Sequence, residues 1–246
     1  MTLILLAALF LPLFPFSALL NWLLTRMHNH FVRFLLLLLW PQIGVLLLGV
    51  SAQPVPQGFV MWALASSVLY ALRLLTVRDL GLWAGFIASS ALALTWGFAS
   101  QDELLEMQVF VFWFSLPAAL LALLAWPLAR RFGAAFAGLH GSLVGSVPRL
   151  SGLLVFTILA AIATPPSPGF FVMLDLLNKL GWPMAPGVLL IWLLWGWAAT
   201  RLMQGFVFGE DRATPVADIG NAVTLLYTST LGVFVVAGFF LTGVVL

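Results

Sequence analysis

Long apolar runs alternate with short polar connections along the entire chain. Each run holds about 20 residues, the length that an α-helix needs to cross about 30 Å of hydrocarbon. The pattern predicts an all-α, polytopic membrane protein with about eight transmembrane helices. Their expected bounds are 3–25, 31–50, 58–77, 80–99, 107–128, 149–179, 184–207 and 219–245.

The short connections predict a single transmembrane domain over residues 1–246 and no soluble domain. Five spans fall in 1–130 and three in 149–246. Between them, the small-residue-rich connection 131–148 is expected to lie along the membrane interface. The first run lacks the basic region of a secretory signal and is interrupted by two prolines, so we interpret it as a retained span.

The composition supports a membrane protein and excludes several functions. Of the 246 residues, 63% are hydrophobic and 7% are charged, whereas soluble domains are about half apolar and about a quarter charged. The absence of cysteine excludes disulfides, iron–sulfur clusters and thiol catalysis within the chain. A scattered net charge of +2 argues against nucleic acid. With three histidines and no phosphate-binding glycine loop, we expect no cofactor, no metal site and no catalytic residue.

The arginines indicate which connections face the cytoplasm. All nine lie at or beside the odd-numbered connections, whereas the fourth connection is acidic. This bias places the odd connections in the cytoplasm of a plasma (inner) membrane, with both termini outside. The assignment requires 149–179 to cross only once. The arginines are Arg26, Arg33, Arg73, Arg78, Arg130, Arg131, Arg149, Arg201 and Arg212.

The span 149–179 contains a predicted break in the helix. Its prolines remove backbone donors, and its glycine allows a turn that other residues rarely adopt. Irregular backbone in hydrocarbon survives only when buried in protein or lining a hydrated cavity, and half-helix ends at this depth form ion sites in transporters. A proline kink supported by neighbouring helices is the alternative. The residues of the break are Thr164, Pro165, Pro166, Pro168 and Gly169.

Four titratable residues are candidates for ion translocation. Asp175 and Lys179 follow the break with helical i,i+4 spacing, so they form either a proton-handling site or an interfacial salt bridge. Glu106 either admits ions or stabilises the positive end of its helix. His140 either relays protons or is an interfacial histidine without a role. Four tryptophans near predicted span ends are expected to anchor the interface: Trp22, Trp83, Trp126 and Trp182.

Two long stretches read VPRLSGLLVFTILAAIATPPSPGFF and RLMQGFVFGEDRATPVADIGNAVTLLYTSTLGVFVVAGFF. They resemble the antiporter-like, proton-translocating membrane subunits of complex I, multisubunit cation/proton antiporters and membrane hydrogenases. The first is similar to the discontinuous helix of that family, and the second to its closing helices. The likeness covers roughly 138–246, and the N-terminal run is only loosely similar. The chain thus resembles a shortened member that keeps mainly the C-terminal helices.

The resemblance also shows where the chain departs from the family. Complete members have about fourteen helices, and we find no equivalent of the mid-membrane glutamate and lysine of their first half. Family members place a lysine or glutamate about four residues after the glycine of the break. Alignment on Gly169 puts Met173 at that position, and a thioether cannot carry a proton.

The resemblance implies an ion-translocating subunit, with protons as the ion, in a larger energy-coupled complex whose chemistry lies in other chains. Complex I-like, hydrogenase, cation antiporter and inorganic-carbon uptake assemblies are all compatible. The alternative is a non-conducting subunit that anchors or docks a partner. Expected partners are the lipid bilayer, another membrane subunit supplying the missing helices, and a soluble cytoplasmic subunit. An independent small-solute transporter fits less well, because the spans show no internal inverted repeat.

Overall fold

A computed structural model describes residues 1–27, 29–51, 55–99, 104–139, 142–207 and 216–245, with the side chains of 241–245 excepted. Regular structure in these ranges is helical, apart from one isolated antiparallel bridge between Asp79 and Phe136. The helices are α1 (Thr2–Phe10), α2 (Ala18–Arg26), α3 (His30–Ser51), α4 (Gln57–Leu74), α5 (Leu80–Ala93), α6 (Trp96–Ala99), α7 (Leu104–Phe132), α8 (Leu143–Ser146), α9 (Pro148–Ala161), α10 (Pro168–Leu180), α11 (Ala185–Val207) and α12 (Asn221–Val245).

Five helical stretches in the described ranges are long and apolar enough to cross a membrane, which confirms a multi-pass membrane protein. They differ in their position in the bundle. In Leu80–Ala99, which combines α5 and α6, 89% of the apolar window is buried, whereas in Asn221–Phe240 only 22% is buried. The stretch Leu80–Ala99 therefore lies at the centre of the bundle, and Asn221–Phe240 lies at its rim. The other three are α3, α7 and α11.

Two expected spans are each divided into a pair of short helices. Residues 11–17 separate α1 from α2, and residues 162–167 separate α9 from α10. The second division coincides with the predicted break. We refer to residues 11–17 as the first break and to residues 162–167 as the second break. In the first break residues 14–16 are exposed and residues 11–13 and 17 are buried, and in the second residues 165–166 are exposed and residues 162, 163 and 167 are buried.

The connection after α7 is tied to neighbouring helix ends by backbone hydrogen bonds. Leu80 N–H donates to the carbonyl oxygen of Ala135 at 2.9 Å, and Gly138 N–H donates to that of Gly205 at 2.7 Å. A Cβ on Gly205 would lie 2.8 Å from the Cβ of Ala137, so glycine is needed for this close approach. The connection therefore joins the end of α11 to the start of α5.

The tryptophans lie in two environments. Trp22, Trp126 and Trp182 are exposed, as expected for anchors, but Trp83 is fully buried. The anchor prediction for Trp83 is wrong, because α5 lies at the centre of the bundle and its span ends are covered by protein. Other tryptophans donate hydrogen bonds to backbone carbonyls at the breaks.

Candidate functional site

The backbone of the second break is satisfied largely by its own residues and one tryptophan. Trp192 Nε1 of α11 donates to the carbonyl oxygen of Ile162 at 3.0 Å. Thr164 donates to the carbonyl oxygen of Leu159 through both its backbone N–H, at 3.2 Å, and its hydroxyl, at 2.9 Å. Ser167 N–H donates to the carbonyl oxygen of Thr164 at 2.8 Å. Protein groups therefore replace part of the helical hydrogen bonding that the prolines remove.

The conformational role expected of Gly169 belongs to another residue. Ala163 has a φ of +58°, in the left-handed region that side chains disfavour. Gly169 lies inside α10, and a Cβ there would be 3.3 Å from the Cβ of Ala163 and 3.5 Å from Cζ of Phe114. The prediction that Gly169 provides the turn is therefore wrong. Glycine at this position provides space for close packing.

The two prolines of the second break and Pro168, which begins α10, differ in their surroundings. Pro165 and Pro166 are exposed at the surface of the chain, whereas Pro168 is buried. Pro168 packs against Gly238 of α12, where a Cβ would lie 2.7 Å from the proline Cγ. Helix α12 therefore covers one side of the break and leaves the other side open to the surroundings of the chain.

Three of the four predicted titratable candidates meet at the far end of α10. Lys179 Nζ forms an ion pair with Oε2 of Glu106 and lies 3.6 Å from Oδ2 of Asp175. Their side chains are 18–37% exposed, so all three are partly withdrawn from the surface. The fourth candidate, His140, lies outside the described residues. We refer to Glu106, Asp175 and Lys179 as the acid–base cluster.

Helix α6 supports the acid–base cluster from the centre of the bundle. The ammonium group of Lys179 lies 5.5 Å from the ring centroid of Phe98, within the range of a cation–π contact. A Cβ on Gly97 would lie 2.6 Å from Cδ1 of Leu176, so glycine lets α10 approach α6. Lys179 is eleven residues beyond Pro168, which places the cluster about 16 Å along α10 from the break.

The arrangement brings three ionisable side chains within reach of one another. Ionisable side chains that meet inside a membrane domain are candidates for a proton relay. Glu106 also lies in the first turn of α7, where its charge stabilises the helix end. From this position Glu106 can both stabilise the start of α7 and contact Lys179, so neither of its two expected roles excludes the other. The sequence spacing predicted the contact of Lys179 with Asp175, but not its contact with Glu106.

The inward face of α10 carries no titratable group. Its buried residues are Pro168, Gly169, Met173 and Leu176. Met173 is fully buried, so the position that carries a charge in the resembling family points into the core of this chain. Two residues further on, Asp175 lies about 200° around the helix, on the side that faces Glu106 and Lys179.

A buried hydroxyl and amide network beside the first break was missed from the sequence. Asn21 accepts a hydrogen bond from Ser89 at 3.2 Å and donates to the carbonyl oxygen of Ser17 at 3.2 Å. The Ser17 hydroxyl also contacts the hydroxyl of Tyr70. Such groups join helices in membranes. The signal available was the presence of Asn21, Tyr70 and paired serines within apolar runs.

Comparison with known proteins shows likeness in structure, since neither a family model nor a curated protein matches the sequence. A chain of respiratory complex I from Thermus thermophilus with bound NADH aligns with a TM-score of 0.78 at 21% identity over 97% of this chain and 54% of the other. A chain of the membrane-bound sulfane sulfur reductase, an archaeal respiratory membrane complex, aligns with a TM-score of 0.81 at 13% identity over 96% and 52%. A chain of the Mrp complex from Dietzia sp. DQ12-45-1b aligns with a TM-score of 0.80 at 15% identity over 96% and 55%.

The chain spans about half the length of these solved chains. The structural likeness extends over nearly all of this chain, including the N-terminal half, where the sequence is only loosely similar to the family. At these identities the likeness establishes the fold. The chain therefore has the antiporter-like fold of membrane chains in multi-subunit respiratory and Mrp complexes.

Proposed function

We propose that this chain translocates protons as a membrane subunit of a larger energy-coupled complex. The observation that carries the proposal is the acid–base cluster at the end of the half-helix that follows the second break. Glu106 and Lys179 are 73 residues apart in the sequence, and each comes from a different helix. Protons pass between the carboxyl groups by way of the amine of Lys179.

In the proposed topology, the polypeptide crosses the membrane eight times. Five crossings are the long helices described above. The others are α4 and the divided pairs α1–α2 and α9–α10, each counted as one crossing. With the arginine-rich connections in the cytoplasm, both termini are outside.

Single cysteines test this topology, because the chain has no cysteine of its own. They are introduced at Gln57 and Thr76, which are both exposed. An impermeant maleimide should label intact cells at Gln57→Cys only, and the opposite pattern would overturn the orientation.

A second membrane subunit is expected to cover the open side of the second break. Pro165 and Pro166 are exposed there, and irregular backbone in hydrocarbon requires protein or a hydrated cavity around it. The structural neighbours belong to multi-subunit membrane complexes, which supports such a partner. A soluble subunit would dock on the cytoplasmic arginines and hold the chemistry, as in complex I-like, hydrogenase, antiporter or inorganic-carbon uptake assemblies.

Proton flux in the reconstituted complex tests the function. Lys179→Met removes the proton carrier with little change in length, and we expect coupled proton flux to fall at least about a hundredfold, the contribution typical of a positioned acid–base group. Asn178→Ala is the matched control, because Asn178 is the exposed neighbour on the same helix. Assembly is followed by co-purification. Wild-type flux in an intact Lys179→Met complex would refute proton transfer through the cluster.

The non-conducting alternative is favoured by one observation, the burial of Met173 at the position that is charged in the resembling family. In that case the acid–base cluster only holds α7 and α10 together. Lys179→Met would then weaken co-purification of the complex, and whatever complex remained would keep its full activity. The two functions therefore predict opposite results for activity per assembled complex.

A further inference from the structure

A cleft of about 610 Å³ separates the last turns of α7 from the first turns of α12. The two helices contact each other further along, where the rings of Trp113 and Phe234 lie 5.2 Å apart. At the mouth they are joined by Arg131, whose Nε and Nη2 donate to the carbonyl oxygens of Ala217 and Asp218 at 2.8 and 3.2 Å. The cleft therefore has a polar mouth, and α7 and α12 contact each other beyond its lining residues.

The mouth of the cleft is positively charged. Arg130 is exposed, and its guanidinium carbon lies 5.6 Å from the ring centroid of Trp126. This distance is within the range of a cation–π contact, which helps to hold the guanidinium at the mouth. Trp126 is also exposed and lines the cleft together with Arg130 and Arg131.

The carboxylate of Asp218 lies beside the mouth and accepts its hydrogen bonds from backbone N–H groups, not from the arginine side chains of the mouth. Asp218 accepts hydrogen bonds from the backbone N–H groups of Arg149 at 2.8 Å, Leu150 at 3.3 Å and Ile219 at 2.7 Å. Its charge is thus used at the start of α9. The side chain of Arg149 is in turn bound to Asn221. Within the described ranges, no carboxylate forms an ion pair with Arg130 or Arg131, so these arginines are available to attract an anion.

Below the mouth the cleft becomes apolar. Leu123 lies two helical turns before Arg130 on α7, and Val223 and Tyr227 line the facing side on α12. At 1.5 Å per residue, these side chains continue the cleft for about 10 Å from the helix ends. A basic group at a helix end above an apolar channel matches the order of phosphate, glycerol and acyl chain in a phospholipid.

We propose that this cleft binds an anionic phospholipid. The phosphate group accepts hydrogen bonds from Arg130 at the mouth, and one acyl chain lies along Leu123, Val223 and Tyr227. Basic pockets between transmembrane helices recognise anionic headgroups in this way. The lipid fills the space between α7 and α12 and so holds the rim helix, which covers the second break, against the bundle. This role does not depend on proton transfer through the acid–base cluster.

Two observations favour a lipid over a soluble phosphate. The channel below the arginines is apolar and runs along membrane-crossing helices, whose apolar length lies in hydrocarbon. The ring of Trp126 beside Arg130 is of the kind that prefers the headgroup region. A free phosphate would use the arginines but leave the apolar channel without a ligand.

Lipid binding is tested with the full-length protein in the complex with which it purifies. The complex is titrated with phosphatidylglycerol or phosphatidylcholine of identical chains, and bound lipid is counted by native mass spectrometry. We expect Arg130→Gln to weaken phosphatidylglycerol binding about fivefold, the effect of one basic group near a headgroup. Arg201→Gln is the matched control, since Arg201 is also exposed and does not line the cleft.

The location of the lipid is tested with phospholipids that carry a photoreactive acyl chain. Cross-links from phosphatidylglycerol should map to the segments around Leu123 and Val223, and Trp126→Ala should reduce them. Equal binding of the two lipids, an unchanged affinity in Arg130→Gln, or cross-links that map elsewhere would overturn the proposal. Displacement of the lipid by soluble glycerol phosphate would reassign the cleft to a free phosphate, and cross-linking to another protein chain would reassign it to a partner helix.

Discussion

The two breaks solve the same problem with different sources of hydrogen bonds. At the first break and the turn of α1 that leads into it, indole N–H groups from three other helices donate to backbone carbonyls, and a serine of α4 accepts from Phe14 N–H at 3.0 Å. At the second, one indole from another helix is used, and the remaining bonds are local. The first set comprises Trp62 with Phe14 at 2.6 Å and Trp96 with Leu11 at 3.3 Å in the break, and Trp40 with Leu9 at 3.3 Å in the last turn of α1.

The two breaks are held by different numbers of neighbouring helices, so we expect them to differ in rigidity. The conformation of the first break is fixed by α3, α4 and α6 together, so it cannot change without breaking bonds to three helices. The second break is connected to the rest of the bundle mainly through Trp192 and through the contact of Pro168 with Gly238. We therefore expect the first break to be structural and the second to be the one that can rearrange.

The largest expected effect comes from removing a tryptophan at the first break. Trp96 is fully buried, so Trp96→Ala should destabilise the protein by about 3–5 kcal/mol through the cavity alone. Trp192→Ala should cost less, because Trp192 is only partly buried. Thermal unfolding in mild detergent measures both. Equal losses would contradict the difference between the breaks.

Removing only the donor at the second break should cost less. Trp192→Phe keeps a ring but leaves the carbonyl oxygen of Ile162 without its indole partner, at about 1–3 kcal/mol. Hydrogen–deuterium exchange should increase within 159–168 and remain unchanged within 11–17. Trp62→Phe is the reciprocal variant and should affect only the first break. Exchange that spreads over both breaks in either variant would show that they are coupled.

Separating α12 from the second break should have an effect of about 1–3 kcal/mol. Gly238→Ala places a methyl group 2.7 Å from Cγ of Pro168, which forces the helix away from the break. Gly232→Ala, on the same helix with open space at its Cβ, is the control and should be neutral or stabilising by up to about 1 kcal/mol. Equal effects in the two variants would mean that the contact with Pro168 does not position α12.

The smallest expected effect has the opposite sign. Ala163→Gly relieves the left-handed conformation at φ +58°, which costs about 1–2 kcal/mol for a residue with a Cβ, and the greater freedom of the unfolded chain offsets part of this gain. We expect a net stabilisation of about 0.5 kcal/mol. Ala160→Gly, in the regular part of α9, should instead destabilise by about 1 kcal/mol. Destabilisation by both variants would show that Ala163 is not strained.

The helices were predictable from local patterns, whereas the pairing between distant residues was not. Apolar run length identified the long helices, and the prolines mark the segment between the end of α9 and the start of α10, because both signals depend on neighbours in the sequence. The contact of Glu106 with Lys179 spans 73 residues and that of Trp96 with Leu11 spans 85. Such contacts follow from helix packing, which hydropathy does not encode.

The wrong predictions for Trp83 and Gly169 have the same physical origin. Position in the run suggested an interfacial role for Trp83, but packing placed α5 at the centre of the bundle. Residue type suggested that Gly169 makes the turn, but the turn falls at Ala163 and glycine serves close packing. In both cases the prediction used only residue type and position in the sequence, whereas the role of the residue depends on the helices packed around it.

The hydrogen bond from Trp192 to Ile162 gives the second break a built-in spectroscopic reporter. An indole N–H held on a carbonyl has a shifted proton resonance and exchanges slowly with deuterium, and both properties disappear when the bond opens. Trp96, bound to the carbonyl of the other break, supplies an internal reference in the same spectrum. If the complex is energised and only the Trp192 signal changes, the second break moves during turnover; if neither signal changes, it is a static bend.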